Sequence, residues 1–345
     1  MKWKLSRDIG IDLGTANVLF YEEGKGIVLR EPSVVAIDKN TGKILQVGAA
    51  ARNMLGRTPG NIVAVRPMRS GVISDYEMTE KMLEHFLKKI VRFALVKPRV
   101  VVSVPSGVTE VEERAVIQAT MEAGARRVYL LEEPFAAALG AKLPIGGPNG
   151  HMVVDIGGGT TDVAVLSLNN ISVSSSIHTA GDTFDEAVIA YLRKRYGILI
   201  GQTTAEEVKM TIGCVVDRPE EASMLVKGRD LKTGLPKEIA VSSAETVEAF
   251  KRPARLIADE VQSVLEHSEP ELVADISKNG IVLTGGGSLL YGMDKLIEQR
   301  TQIRCRIADD ADSCVAYGCG KSLQWIGSMQ EGTINLARRK LMKEQ

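Results

Sequence analysis

Two stretches of this chain read almost alike, and 143 residues separate Asp12 of the first from Asp155 of the second. The first is Asp8-Ile9-Gly10-Ile11-Asp12-Leu13-Gly14-Thr15-Ala16-Asn17, followed by Val18-Leu19-Phe20. The second is Met152-Val153-Val154-Asp155-Ile156-Gly157-Gly158-Gly159-Thr160-Thr161-Asp162, followed by Val163-Ala164-Val165-Leu166. Each reads as an apolar strand with an aspartate near its end, a tight glycine turn and a second apolar strand. That is a β-hairpin whose turn asks for small residues and positive φ. A repeat at about one domain length implies two lobes of similar fold. The period is too long for a solenoid, whose units run to roughly 20–50 residues.

The segments between and after the hairpins alternate helix and strand patterns. Thr79 to Arg92 places Met82, Leu83, Phe86 and Ile90 on one helical face. Thr109 and Glu112 form a capping box for a helix that stops at Gly124, and Thr183 and Glu186 do the same for one that stops at Gly197. Pro253 suits the first turn of a helix over Arg252 to His267. Val100 to Val104 and Ile281 to Thr284 read as strands, the first apolar throughout, as when both sheet faces are covered. The class is therefore α/β. Asp38 to Lys43 reads as a hairpin turn in one small subdomain, and Gly228 to Lys237 as a loop in a second. Pro144 to Gly150 reads as the connection between lobes.

Composition bounds the function. Hydrophobic residues make up 44% and charged residues 25%, as in a globular chain. Lys+Arg and Asp+Glu both number 43, so no global field draws the chain to nucleic acid, and no nucleic-acid partner is expected. The cysteines, Cys214, Cys305, Cys314 and Cys319, form no C-x-x-C pair, and free buried thiols in a reducing compartment are expected rather than zinc. No apolar stretch approaches the roughly 20 residues of a membrane span, and no signal peptide opens the sequence, so an intracellular location is expected.

Phosphate needs converging N–H donors and close backbone approach, which glycine permits, with Thr or Ser adding a hydroxyl. Gly14-Thr15-Ala16-Asn17 and Gly157-Gly158-Gly159-Thr160 meet that need from two sides. Asp12 and Asp155 at the strand ends would then face one space and hold magnesium through its waters. One such hairpin alone reads as an ordinary Asp-stabilised turn; two at domain spacing favour phosphate binding. Gly285-Gly286-Gly287-Ser288, after a strand and before a helix over Leu289 to Arg300, is a third glycine cluster. By itself it is equally a plain strand–helix turn, and it lacks G-x-G-x-x-G spacing. Gly320-Lys321-Ser322 mimics the end of a P-loop but lacks the earlier glycine, and reads as part of a terminal helix. Glu133, before the proline-started helix Pro134 to Gly140, is either a helix-terminus charge or, in a cleft, a residue that orients an attacking water.

These segments resemble, in order, the motifs of the actin, sugar kinase and heat-shock chaperone ATPase superfamily. Ile11 to Asn17, Glu31-Pro32-Ser33-Val34-Val35-Ala36, Arg57-Thr58-Pro59-Gly60 and Arg66-Pro67-Met68 resemble more narrowly the MreB/Mbl family of bacterial actin-like, cell-shape-determining proteins. The resemblance runs from about Arg7 to Ser328. It implies an actin-like (ribonuclease H-like) two-lobed fold, each lobe a mixed sheet flanked by helices, with two smaller inserted subdomains. The implied lobe I core (IA) is 1–32, 66–145 and 314–345, with subdomain IB at 33–65. The implied lobe II core (IIA) is 146–181 and 246–313, with subdomain IIB at 182–245.

By the same resemblance, Asp12, Gly14, Thr15, Ala16 and Asn17 hold phosphate and Mg2+ on one side, and Asp155, Gly157, Gly158, Gly159 and Thr160 on the other. Glu133 aligns with the water-positioning residue, with Thr160 and Asp155 assisting catalysis. Glu206, Glu207 and Lys209 border adenine and ribose; without the resemblance they read as a solvated helix start. Gly285, Gly286, Gly287, Ser288 and Leu289 close over the nucleotide. The implied function is an ATPase that binds ATP and Mg2+ and polymerises into membrane-associated filaments, with paired protofilaments. These organise lateral peptidoglycan synthesis, with partners of the MreC, MreD and RodZ type, from the cytoplasmic face of the inner membrane.

Membrane contact is implied for Phe93 and Leu95, apolar residues beside Lys97, and for Trp3 among Lys2 and Lys4. Read without the family, Phe93 to Val96 simply finish a core face. A small-molecule kinase would need a further base and substrate pocket, for which no motif stands out. A non-hydrolysing binding module would be expected to lack Glu133 or one of the two aspartates, and all are present.

Overall fold

The structure, a computed structural model, describes residues 8–91 and 96–327. Phe93, Leu95 and Trp3 lie outside the described residues. Each hairpin seeds a five-stranded mixed sheet, and the two sheets have the same strand order. In the first, Ile9–Leu13 pairs antiparallel with Asn17–Glu22, which pairs antiparallel with Gly26–Pro32. On its other side Ile9–Leu13 pairs parallel with Arg99–Val104, and that strand with Arg127–Glu132. In the second, His151–Ile156 pairs antiparallel with Thr161–Ser167, followed by Asn170–Ile177. It pairs parallel with Ile281–Thr284, which pairs parallel with Cys305–Ile307. The sequence repeat is thus a repeat of topology.

Alternation along the strands sends side chains into separate cores. Ile9, Ile11, Val100, Val102 and Leu130 pack outward under the helices Tyr76–Ile90 and Glu110–Glu122. Met152, Val154, Ile156, Val163 and Val165 pack outward under Gly181–Tyr196 and Ser243–Glu266. The inward faces, with Val101, Tyr129, Leu131, Val153, Ala164 and Leu166, share a third core. That core is filled by two helices, Glu133–Gly140 and Cys314–Ser322, which lie between the sheets. A two-stranded ribbon, Met68–Arg69 with Val72–Ile73, and two three-stranded sheets complete the described strands. One of these sheets joins Ile44–Val47, Val35–Asp38 and Ile62–Val65; the other joins Ile198–Leu199, Ser223–Asp230 and Pro236–Ser242.

Several boundaries differ from the sequence reading. The helix expected from Thr79 begins at Tyr76, because Asp75 accepts a hydrogen bond from Met78 N at 3.1 Å and caps it. The helix expected from Arg252 spans Ser243–Glu266, capped by Ser242 with Glu245, and Pro253 lies in its buried interior. Burial of Phe250, Ile257 and Val261 along one face outweighs the proline's local preference. After Gly285 there is only a 3-10 turn, Gly286–Leu289, and the helix starts at Met293. Gly228 belongs to a strand rather than a loop. The four cysteines are free thiols. No helix among the described residues is long and apolar enough to cross a membrane.

The two central helices meet backbone to backbone. A Cβ on Gly318 would stand 1.8 Å from Ala136 O, and a Cβ on Gly140 would stand 1.8 Å from Cys314 O. Alanine is worth about 1 kcal/mol more than glycine in a helix, but forcing these helices apart costs about 1–3 kcal/mol or more. Gly318→Ala should therefore lower stability despite its better helix propensity. Urea unfolding monitored by circular dichroism tests this, and a raised midpoint would contradict the close crossing.

Candidate functional site

The two hairpin turns face one another. A Cβ on Gly158 would lie 2.8 Å from Ala16 Cβ, and one on Gly159 would lie 2.5 Å from Thr15 Oγ1 and 2.9 Å from Ser70 Cα. A Cβ on Gly14 would meet Asn17 O at 2.7 Å. None of these glycines has the positive φ expected of them; space, not handedness, requires glycine there. Ser70 and Gly71, with φ of 48° and 75°, wedge between the turns, and Gly71 N donates to Thr15 Oγ1 at 3.0 Å.

Beside the turns lies a cleft of about 400 Å³. Asp12, Gly14, Thr15, Ala16 and Asn17 line it from the first hairpin, and Asp155, Gly157, Gly158, Gly159 and Thr160 from the second. Glu133, the first residue of a central helix, lines it as well, as do Gly285, Gly286, Gly287 and Leu289. The helix Gln202–Ile212 contributes Glu206, Lys209 and Met210. Glu207 is exposed and does not line the cleft. Ser288 also stands outside it: buried, its hydroxyl donates to Gly285 O at 2.6 Å.

Carboxylates gather on the hairpin side. Thr284 Oγ1 donates to Asp155 Oδ1 at 2.7 Å, and Ser106 N donates to Asp162 Oδ1 at 2.8 Å. Asp162 is fully buried and its Oδ2 has no partner. Burial, reinforced by the Asp155 charge, pushes the Asp12 carboxyl up to about 7. Burial alone raises Asp155 to about 6 and dominates the rise of Asp162 to about 7. Glu133 is pushed well above its ordinary range by burial and then by Asp162, Asp12 and Asp155. Such a cluster is costly when ionised and unpaired, and a cation relieves it. Among the described residues no three His, Cys, Asp or Glu side chains converge as a direct metal cage. One or two carboxylates plus phosphate oxygens and waters is the usual magnesium arrangement, and Asp12 and Asp155 fit it.

The other end of the cleft is less acidic. Arg218 stacks on the Tyr291 ring, its guanidinium carbon 4.6 Å from the centroid, beside Gly213 and Leu290. Lys209 Nζ bonds Asp185 and Gly181 O, both at 2.9 Å. Arg30 pairs with Asp312 and Ser313 at the start of the second central helix and faces Asp12. Arg218, Tyr291, Arg30 and Asp312 were not among the sequence candidates. Arg30 was within reach of them: strand register sets Asp12 beside Leu19 and Leu19 beside Arg30 in one row.

Comparison with known proteins gives consistent matches. The family model described as MreB/Mbl protein matches residues 6–331. The cell shape-determining protein Mbl of Bacillus cereus is 50% identical over 330 residues, covering 95% of this chain and 99% of that protein. The cell shape-determining protein MreB of Escherichia coli K12 is also 50% identical, over 327 residues, with 93% and 94% covered. The crystal structure of MreB 5 of Spiroplasma citri bound to AMPPNP superposes with a TM-score of 0.90 at 41% identity, covering 94% and 98% of the two chains.

If the cleft takes a magnesium-bound nucleotide, Asp155→Ala should weaken its binding at least about tenfold, since the neighbouring Asp162 is bonded to Ser106 N and does not line the cleft. It should leave stability equal or higher, because it removes a buried group whose charged form is disfavoured. Calorimetry and thermal unfolding separate the two; unchanged affinity would take Asp155 out of the site.

Proposed function

The chain belongs to the MreB/Mbl family and has its actin-like, two-lobed fold, and from that premise we propose that it is an ATP-hydrolysing filament former that maintains rod shape. The observation that carries the reading is the paired hairpins, whose turns pack against each other beside a cleft lined by Asp12, Asp155 and Glu133. A relative at 41% identity holds AMPPNP on the same fold, which supports a nucleotide as the occupant. In the proposed division, the lobe cores IA and IIA and the subdomains IB and IIB have the boundaries that the family resemblance implies.

In this reading the turn residues 14–17 and 157–160 cradle phosphates through backbone N–H groups and the Thr15 and Thr160 hydroxyls. Asp12 and Asp155 hold Mg2+, through water, and Mg2+ supplies charge neutralisation of the phosphates. Glu133 accepts a hydrogen bond from the attacking water. Orienting a water needs only an acceptor oxygen, which the carboxyl offers in either protonation state. Glu206, Lys209 and Met210 share one helical face at i, i+3 and i+4 and border the ribose and base, opposite the Arg218–Tyr291 stack.

The names of its relatives support a role in cell shape; self-assembly into paired protofilaments follows from the family resemblance. Organisation of lateral peptidoglycan synthesis with MreC, MreD and RodZ-type partners, at the cytoplasmic face of the inner membrane, follows from family resemblance. Phe93, Leu95 and Trp3 are the proposed membrane contacts. Each inserted side chain contributes at most about 1.5–3 kcal/mol, so a monomer binds weakly, whereas a filament repeats the anchor and gains avidity.

Glu133→Ala should keep ATP affinity and lower phosphate release by roughly 10² or more at saturating ATP. Equal turnover in mutant and parent would remove Glu133 from the chemistry. Replacing Phe93 and Leu95 by Ser should abolish co-pelleting of filaments with anionic liposomes while ATP binding persists. Full liposome binding by that variant would mean these residues only close a core.

A further inference from the structure

The first half of the chain reaches across the rim of the cleft with two arginines. Arg52 ends the short helix Ala49–Arg52, and its Nη2 lies 2.7 Å from Glu206 Oε2. Arg66, just after the strand Ile62–Val65, places Nη1 3.0 Å from Asp182 Oδ1 and Nη2 3.8 Å from the same Glu206 oxygen. Both acceptors belong to the second half. Asp182 sits in the first turn of the helix Gly181–Tyr196, and its N–H donates to Gly158 O at 2.7 Å, within the second hairpin turn. Glu206 itself lines the cleft.

These pairs differ from ordinary surface bridges. The Arg66 and Glu206 side chains are only 13% and 16% exposed, which strengthens their attraction, while Arg52 and Asp182, at 36% and 29%, leave the cluster open to salt. One guanidinium serves two carboxylates on two different helices of the second half, Gly181–Tyr196 and Gln202–Ile212. The fit is also incomplete: Arg66 Nε is enclosed without an acceptor. An enclosed donor with no partner disfavours the closed arrangement, and opening returns it to water. The cluster is therefore held by charge and opposed by desolvation, a balance that can swing either way. The other main contacts between the halves are the central helices, the facing hairpin turns and the Ser106 N–Asp162 bond, which are packed surface and hydrogen bonds, and the Arg30–Asp312 pair, which is exposed and adds little.

We propose that Arg52 and Arg66 are positioning residues that, through Glu206 and Asp182, latch the two halves together across the rim and set how slowly a nucleotide leaves the cleft. The closing of the rim stands on the geometry; the link to nucleotide release rests on the ATP-binding reading given above. Because Glu206 belongs both to the latch and to the cleft wall, rim and site are coupled through a single carboxylate.

Dissociation of N-methylanthraniloyl-ATP with Mg2+, followed by stopped flow on the full chain kept dilute enough to be monomeric, tests this. Raising salt from roughly 0.05 to 0.5 M shortens the Debye length several-fold and should speed release from the parent by about tenfold. Arg52→Gln combined with Arg66→Gln should release about tenfold faster already at low salt and lose the salt response. The charge-keeping variant, Arg52→Lys with Arg66→Lys, should regain slow, salt-sensitive release, whereas a merely structural role of the side-chain bulk would not distinguish it from the Gln variant. Small-angle scattering of the nucleotide-free chain is the second measurement. The parent should expand with salt, and the double Gln variant should be expanded at both salts. Identical release rates and identical scattering in parent and Gln variant would overturn the latch. If the parent binds no labelled ATP, the nucleotide reading fails and the scattering alone decides the latch. If the double variant does not fold, the parent decides: release and scattering that ignore salt would overturn the proposal.

Discussion

The crossing of Glu133–Gly140 with Cys314–Ser322 is the contact on which the rest of the molecule hangs. Both helices are rich in small residues, and at Gly140 and Gly318 the partner's carbonyl occupies the place of a side chain. Close packing of backbones leaves few alternative arrangements, so the crossing fixes where each helix begins. One begins with Glu133 in the cleft, and the other follows directly on Asp312, held by Arg30. The same helices fill the space between two sheets of identical order. Gly10 extends the constraint to the first hairpin, since a Cβ there would stand 2.8 Å from the backbone of Cys319 and Gly320. The hairpin that ends in Asp12 is therefore seated directly on the central helix.

What that scaffold presents is electrostatically unfavourable by itself. Asp12, Glu133, Asp155 and Asp162 share one enclosed region, and each is pushed upward chiefly by burial. A core built only for stability would hold apolar residues at such positions. Local cost at a place the surroundings over-determine is the usual mark of a site that is completed by a ligand. In the proposed function the glycine walls fit the shape of the ligand and the carboxylates fit its charge: phosphate oxygens against the N–H groups, and a cation against the acids.

The hairpins were legible in the sequence because their chemistry is local: apolar strand, aspartate, glycine turn, strand. The lobed α/β fold followed from their spacing, since two copies of one motif need two copies of a sheet. Glu207, assigned to the nucleotide by family resemblance, is exposed; no sequence motif distinguishes it from its neighbour Glu206. On a helix, Glu206, Lys209, Met210 and Gly213 share the face that lines the cleft, and Glu207 is turned about 100° away. Ser288 was misplaced because a hydroxyl in a 3-10 turn can reach back to the carbonyl three residues earlier, and here it bonds Gly285 O. Pro253 suggested a helix start, but the cap lies at Ser242, and tertiary burial carries the proline inside. The Arg218–Tyr291 stack had no local signal at all, because Val215 N to Tyr291 O, at 3.0 Å, joins segments far apart in sequence.

A site divided between two lobes has a consequence that a site within one domain lacks. A ligand that touches both hairpins gains contacts only when the lobes are close, so its binding free energy is also a closing free energy. By linkage, anything else that prefers the close arrangement must raise the affinity for that ligand by the same factor. In the proposed function the second ligand is a neighbouring copy of the chain, which meets a surface whose shape the lobe angle sets. Nucleotide and assembly are then coupled without a dedicated relay between them. The central helices act as the joint, the rim arginines bias its position, and the glycine turns make closure and phosphate binding one event. In that function, hydrolysis would remove one phosphate's share of the contacts between the hairpins, and so would weaken closure and assembly together.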